Sequence, residues 1–302
     1  MKDKDYLQKF MFQNAVTRGT IVHLEESYQT ILAQHPYPAA IAELLGEALL
    51  AVCLLASSIK FSGRLSIQFQ GKNNLRLLLV ECNHDLHLRG LIQWQAEHSP
   101  DPAELLTELK QGMLVITITH EGSDHKNYQG MVAWEGESLA QALEGYFRNS
   151  EQLPTRIWLA VNDLQAAGLM LQAMPALKPQ NAEKVENIDD ENWEHVTHLA
   201  STIKKDELLT LENKELLHRL YWQEDLLLFP AERIIFQCTC SVERCENILL
   251  LVGHAEVDAA FGEKEIVEII CEFCRRPYIF DRVDAARIFK GGNNPELDNQ
   301  LH

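Results

Sequence analysis

Cys238-Thr239-Cys240 and Cys271-Glu272-Phe273-Cys274 are two close-spaced cysteine pairs separated by 30 residues. The thiolate form of cysteine is both the metal ligand and the group that oxidants attack. A C-x-x-C turn converges its two sulfurs while nearby backbone N–H groups donate to them. Two such pairs make a closed tetrahedral site, which suits Zn2+ or an iron–sulfur cluster. Four thiolates around Zn2+ leave a net charge of about −2, and Arg244, Arg275 and Arg276 stand close enough in sequence to offset it. The C-x-C half departs from the ordinary zinc ribbon, which repeats C-x-x-C. Spacing alone leaves several readings open. One is a permanent structural zinc site, the usual fate of four-cysteine clusters. Another is an iron–sulfur cluster, and a third is a site that oxidation opens.

The third reading has a physical basis. The cysteines fall in a segment, residues 232–290, that is too short to bury much surface by itself. A bound zinc would supply much of its folding free energy, roughly 10–16 kcal/mol in zinc-finger peptides. Peroxide or hypochlorous acid carries such thiolates through sulfenate to disulfides and so removes the ligands. Cys238 with Cys240, and Cys271 with Cys274, are natural partners by proximity.

The other candidates read as structural. Cys245 lies on the apolar face of a predicted helix and is expected to be a core thiol rather than a fifth ligand. Cys53 lies in an apolar helical run and is expected in the core; Cys82 ends a strand and its role is open. His195 and His198 stand at i, i+3 near Trp193 with no matching third ligand, and are read as solvated helix positions. His84 and His87 are read as loop residues. The sequence has no G-x-S-x-G, P-loop or H-E-x-x-H motif, and no nucleophile–base pair stands out. No catalytic residue is therefore assigned, and the chain is not expected to be an enzyme.

These residues need elements to hold them. Pro38 to Lys60 reads as a helix with a broad apolar face. Leu65–Gln70 alternates apolar and polar as a half-buried strand does. Leu75–Glu81, Met113–Thr119, Tyr128–Trp134, Thr155–Val161 and Gly168–Met174 read as further strands, with hairpin-turn chemistry at Gly71-Lys72-Asn73-Asn74. Ser138 can cap a helix running to about Arg148. Residues 1–178 are thus predicted to be an α+β unit with mostly antiparallel sheet. Residues 179–231 begin acidic and continue as short amphipathic helices. Asp206 can cap one, and Leu216, Leu217, Leu220, Tyr221 and Trp222 form the stripe of another. Helices this short are marginal in water and need a surface to dock on, so the segment is predicted to be a metastable helical linker. In residues 232–290, Arg233–Gln237 looks strand-like and Ser241 can cap a helix ending before Gly253. Lys264–Ile270 reads as a strand and Asp281 as the cap of a last helix. Residues 291–302 are expected to be a disordered tail.

The formal net charge is −17 and the hydrophobic fraction is 46%. The charge argues against nucleic acid and anionic membranes as partners, and suits a protein that stays dispersed while exposing apolar surface. The N-terminus shows no signal-peptide pattern. The longest apolar run, Ala48–Ala56, is too short to span a bilayer. A cytoplasmic location is expected, where stable structural disulfides are rare.

Several motifs together resemble a known family. They are Tyr37-Pro38, Leu45-Gly46-Glu47-Ala48-Leu49, Gly63-Arg64-Leu65-Ser66-Ile67-Gln68, Tyr128-Gln129-Gly130, Ser150-Glu151-Gln152-Leu153-Pro154-Thr155 and Leu216-Leu217-His218-Arg219-Leu220. The most specific is Phe236-Gln237-Cys238-Thr239-Cys240-Ser241-Val242-Glu243-Arg244, paired with Cys271–Cys274 and Tyr278-Ile279-Phe280. Along nearly its whole length the chain resembles the bacterial 33 kDa redox-regulated heat-shock chaperones. The resemblance implies one Zn2+ held by Cys238, Cys240, Cys271 and Cys274 in a reduced, inactive form. It implies that oxidation forms the two neighbouring-cysteine disulfides, releases zinc and unfolds the switch unit (232–290) and linker. The protein would then dimerise and hold unfolding client proteins without ATP. Gly71 is followed by Lys72-Asn73-Asn74 instead of a second glycine, and Cys245 adds a further thiol beside the switch.

Other functions would use the same residues differently. A thiol–disulfide oxidoreductase would use Cys271 and Cys274, but the pair lacks a thioredoxin-like βαβ context. A zinc-ribbon adapter for nucleic acid would need a basic surface that the composition does not supply.

Overall fold

The computed structural model describes residues 4–13, 17–120, 127–174, 186–262 and 264–291. By compactness the chain divides into Met1–Gln237 and Cys238–His302. The first unit runs β1 (Tyr6–Phe12), β2 (Thr17–Leu24), α1 (Glu26–Leu32), α2 (Ala39–Ser58), β3 (Gly63–Gln70), β4 (Leu75–Asn83), β5 (His87–Trp94), α3 (Pro102–Gln111), β6 (Met113–His120), β7 (Tyr128–Val132) and α4 (Leu139–Tyr146). After a π-helical turn (Phe147–Glu151) come β8 (Thr155–Val161), β9 (Ala166–Ala173), α5 (Glu186–Ala200), α6 (Lys205–Thr210), α7 (Asn213–Tyr221), and the short β10 (Leu226–Leu228), β11 (Glu232–Arg233) and β12 (Ile235–Phe236).

Two sheets organise this unit. One has the order β10-β1-β2-β9-β8 with β11 also on β1; the other is β12-β5-β4-β3-β6-β7. Every pairing in both is antiparallel except that of β12 with β5. The α+β reading with mostly antiparallel sheet matches this architecture. β3 keeps the alternation its sequence announces, with Leu65, Ile67 and Phe69 buried and Arg64, Ser66 and Gln68 only partly so. The β3–β4 turn needs a glycine at 71, because a Cβ there would stand 1.8 Å from the Leu75 carbonyl oxygen.

The helix α2 is the centre of the main core. Its residues Ala48 to Leu55 are all buried and pack with side chains of both sheets, among them Val22, Val80, Ile116 and Met170. The helix is long and apolar enough to cross a membrane, but 72% of its apolar window is buried inside the protein, which marks it as a core helix. β9 is buried on both faces, so its pleat serves two cores. Ala166 and Met170 face the α2 core. Ala167, Leu169 and Leu171 face a second core that α5, α6 and α7 complete with Val196, Leu208, Leu209, Leu217 and Tyr221. The short amphipathic helices of the chain's middle thus cover the outer face of the first sheet.

Several sequence-based assignments change. β1, β2 and β5 are strands that the sequence pattern does not announce. β1 follows charged residues, and Asp5 belongs to the fold as a cap: its carboxylate accepts from the backbone N–H groups of Glu25, Glu26 and Ser27 at 2.5, 2.9 and 2.6 Å. Asp206 does not cap α6 but lies within its first turn; the Glu207 carboxylate accepts from Lys204 N–H at 3.2 Å instead. His87 is not a loop residue but the first residue of β5. Of the acidic stretch Pro179–Glu194, read from the sequence as a mobile linker start, residues 179–185 lie outside the described residues, as does the tail beyond 291, and from Glu186 onward the chain is not a loose linker but the helix α5.

The second unit comprises α8 (Val242–Val252), α9 (His254–Phe261), β13 (Ile266–Ile270), β14 (Pro277–Asp281) and α10 (Arg282–Gly291). Ser241 Oγ caps α8 by accepting from Arg244 N–H at 3.2 Å, and Gly253 ends it with φ 98°. Asp281 Oδ1 accepts from Val283 and Asp284 N–H, each at 2.8 Å, and starts α10. β13 and β14 form a hairpin in which Ile270 is opposite Pro277. The buried core is small: Cys245, Leu249, Val257, Phe261, Tyr278, Phe280, Ala285 and Ile288.

Candidate metal centre

The β13–β14 hairpin ends in a tight turn that carries Cys271 and Cys274. Cys271 N–H donates to Arg276 O at 3.0 Å and Arg275 N–H to Cys271 O at 2.8 Å. Arg275 closes the turn in the left-handed region, φ 55°. The other two cysteines enter on the extended segment before α8, where the Ser241 cap fixes the direction of the chain just past Cys240. The four sulfurs lie within 4.8 Å of one another. Cys238 Sγ is 3.6 Å from Cys271 Sγ, and Cys240 Sγ is 3.5 Å from Cys274 Sγ. A tetrahedron with Zn–S bonds of ~2.3 Å has an S···S edge of about 3.8 Å, whereas a disulfide is ~2.05 Å. The spacing and the donor set therefore fit a four-sulfur ion site with all four cysteines reduced. The close approaches pair Cys238 with Cys271 and Cys240 with Cys274, across the two segments.

The local electrostatics separate the thiols. Burial raises Cys238, against the backbone N–H of Cys240, which stabilises its thiolate. Burial raises Cys274 as well, up to about 12, against the Arg276 N–H. Cys240 goes the other way. Burial pulls it up, but donors led by the Tyr278 hydroxyl and the neighbouring thiols outweigh that and bring it down to about 7. Backbone donations of this kind orient metal-bound thiolates from outside the ligand set. Arg244 Nη1 donates to Thr239 Oγ1 at 2.7 Å, between the first two cysteines in the chain, which keeps one cation beside the cluster.

Tyr278, which the sequence offers only as part of the Tyr278-Ile279-Phe280 motif, stands beside the cluster. Its hydroxyl is shut off from solvent with no hydrogen-bond partner at normal distance, yet it is near enough to the Cys240 sulfur for each to shift the other's ionisation. A buried hydroxyl without a partner is rare, and a thiolate held at Cys240 is the acceptor it faces. In the sequence it shows only as a residue of the Tyr278-Ile279-Phe280 motif, four residues after Cys274.

The remaining candidates lie outside the cluster. Cys245 is buried in the small core on α8, as expected. Cys53 and Cys82 are both buried in the α2 core, and their contact raises Cys53 well above an ordinary thiol. His195 Nε2 meets Glu224 Oε1 at 3.2 Å. Neither it nor His198 belongs to a metal-type cluster among the described residues.

The model of the Hsp33 protein family matches residues 5–281. The chain belongs to the Hsp33 family. Among curated Hsp33 relatives, the 33 kDa chaperonin of Shewanella loihica is 44% identical, covering 98% of this chain and 99% of its own. The 33 kDa chaperonin of Pseudomonas aeruginosa is 41% identical over the full length of both. The crystal structure of an Hsp33 homologue from Thermotoga maritima superimposes with a TM-score of 0.79 over 97% of this chain and 99% of that one, at 18% identity. The architecture is therefore the Hsp33 fold, and the family is one of chaperones.

Proposed function

We propose that the chain is a redox-regulated, ATP-independent holdase of the cytoplasm, inactive when its four clustered cysteines are reduced and hold one Zn2+. The observation that carries this reading is the convergence of Cys238, Cys240, Cys271 and Cys274 in a unit whose own core is only a handful of side chains. Bound there, zinc supplies a crosslink between the β13–β14 turn and the segment entering α8. The cysteines are the switch. Each disulfide forms when two thiolates give up two electrons, so one peroxide per disulfide is reduced to two waters. Pairing Cys238 with Cys240 and Cys271 with Cys274 removes all four ligands, and the unit loses the ion and its fold.

The sequence connects this event to the first unit. Cys238 follows directly on β10, β11 and β12, which follow α5–α7. With the second unit unfolded, those short strands lose an anchored end and the marginal helices lose support. Departure of α5–α7 uncovers Phe10, Phe12, Ile21, Leu169 and Leu171 on the first sheet, a continuous apolar face now covered. Such a face binds unfolding client proteins or a second copy of the chain, so activation is accompanied by homodimerisation. No catalytic residue takes part.

The test uses reduced, zinc-loaded full-length protein treated with peroxide under mild heat. Release of about one zinc per chain, loss of four free thiols and onset of suppression of client aggregation are expected together. A variant with all four cysteines replaced by serine that needs oxidation as much as the parent does would overturn the switch.

A further inference from the structure

Two of the sequence motifs, Tyr128-Gln129-Gly130 and Ser150–Thr155, have no part in the cysteine switch, and they meet at a cavity. It opens at the C-terminal end of α2 between the two sheets and has a volume of about 280 Å³. Its walls are apolar, formed by Leu55, Ile59, Ile116, Ile118, Phe147 and Leu153. Its polar groups are few and each is held in place. Arg18 Nη2 donates to Ser58 O at 2.9 Å and to Gln172 Oε1 at 2.5 Å. Gln172, itself 1% exposed, is fixed by donating to Thr155 Oγ1 at 3.0 Å. Tyr146 donates to Glu151 Oε1 at 2.8 Å and shares a 2.7 Å contact with the Tyr128 hydroxyl.

Arg18 is the unexplained group. Its guanidinium is half-buried, all of its hydrogen bonds go to neutral oxygens, and none of the ion pairs among the described residues includes it. A desolvated cation is costly unless paired. The Glu151 carboxylate on the same wall is occupied by the tyrosine hydroxyls. The wall is also irregular. The π-helical turn Phe147–Glu151 ends at Gln152, a non-glycine residue with φ 55°, and such irregularities gather at binding sites. A small apolar pocket with a few convergent, rigidly held polar groups is the usual form of a ligand site.

We propose that this cavity binds a small amphiphilic monocarboxylate, its carboxylate on Arg18 and its hydrocarbon body against Leu55, Ile116, Ile118 and Leu153. The volume holds roughly nine water molecules at ~30 Å³ each, which sets the size at about ten non-hydrogen atoms. Arg18 offers the carboxylate the two N–H groups of Nη1, since Nε and Nη2 are taken by Gln172 Oε1 and Ser58 O, and among the described residues no other cation lines the pocket. The site is separate from the four cysteines and does not depend on their redox chemistry.

Octanoate and octanol are the probes, titrated into reduced, zinc-loaded full-length protein and followed by calorimetry and isoleucine methyl NMR. Octanoate is expected to bind one per chain, shifting the methyls of Ile59, Ile116 and Ile118, and octanol at least tenfold more weakly. Arg18→Gln should weaken octanoate at least tenfold and abolish its advantage over octanol. Ile59→Trp, at the rim, should fill the pocket and lose both. The proposal is overturned if octanoate fails to saturate, if the two probes bind the parent equally, or if the methyl shifts fall elsewhere in the protein.

Discussion

His23 of β2 and Asn213 of α7, 190 residues apart in sequence, meet at 3.0 Å through Nε2 and Oδ1. Asn213 also donates to Gln8 Oε1 at 2.9 Å, so its oxygen is left to accept from a His23 Nε2–H. Both residues are buried. The contact ties the covering helices to the first sheet by polar groups, beside the apolar side chains of the second core.

This tie gives the covering layer a pH dependence. Burial lowers His23 to about 4, only partly offset by its bond to Asn213. The unfolded chain takes up a proton near pH 6.5, while the folded chain resists until about 4. His23 therefore contributes fully above about 6.5, and the contribution is lost as pH falls from about 6.5 to about 4. A shift of this size is worth on the order of 3 kcal/mol. The stability difference between the parent and His23→Gln is expected to move by about that amount across the window, measured by urea unfolding at fixed pH steps. A constant difference would refute the assignment.

The covering helices should also control activity without touching the cysteines. Tyr221 sets its ring edge-on to Phe12 at 4.9 Å between centroids, and its hydroxyl donates to Val196 O at 3.1 Å. Tyr221→Ala removes both, at a cost of about 3–5 kcal/mol. The expected result is holdase activity in fully reduced protein with zinc still bound, with faster hydrogen exchange in α5–α7. Unchanged activity together with faster exchange would separate the apolar face from client binding.

Part of this layer is legible in the sequence and part is not. The stripe Leu216, Leu217, Leu220, Tyr221 and Trp222 announces a helix needing a surface, although Trp222, at the helix C-cap, is 69% exposed and does not join the buried face; the surface itself stays hidden because β1 and β2 carry no clear strand signal. β1 follows a charged start, and β2 is interrupted by Arg18 and Gly19, so neither shows clean alternation. The four cysteines are fully legible because metal-type spacing survives in one dimension. Arg18 is not, and Tyr278 shows only as a motif residue without a role, because each matters through a partner distant in sequence or by lacking one, and spacing records neither.

Zinc removal should unfold the second unit and loosen the covering helices α5–α7, but spare the α2 core. Chelation of the reduced protein is expected to unfold α8, α9, α10 and the β13–β14 hairpin while α2 keeps its exchange protection, because the ion is worth roughly 10 kcal/mol or more to a small core. Circular dichroism should show loss of helix that readded zinc restores. A second unit that stays protected after the metal is gone would show that its core suffices without the ion.

Tyr278→Phe isolates the effect of one hydroxyl on the sulfurs. The ring packing remains, so zinc should stay bound. In the loaded site Cys240 is already a thiolate, and losing a donor makes it more basic. More basic thiolates are stronger nucleophiles. Peroxide should then release zinc roughly two- to fivefold faster, read with a chromogenic chelator. An unchanged rate would mean that the hydroxyl does not reach the sulfur.

The carboxyl of Glu47 supplies a pH term opposite to that of His23. Half-buried on α2, it is raised to about 7, first by burial and then by Glu43, with Lys205 counteracting; Lys205 Nζ is itself 2.7 Å from Glu43 Oε1. The folded chain keeps this proton up to about 7 while the unfolded chain releases it near 4.5, so the group costs stability as pH rises through that window. Between about 4.5 and about 6.5 the losses from Glu47 with rising pH and from His23 with falling pH run against each other with equal slope, ~1.4 kcal/mol per unit. Their sum is flat in the parent, and each single substitution exposes the other group. His23→Gln should lose stability as pH rises, relative to the double variant, and Glu47→Gln should gain it. Glu47→Gln is also expected to stabilise the protein by up to about 3 kcal/mol near pH ~8 and by nothing near pH ~4. A benefit independent of pH would mean that the carboxyl is never buried as an ion.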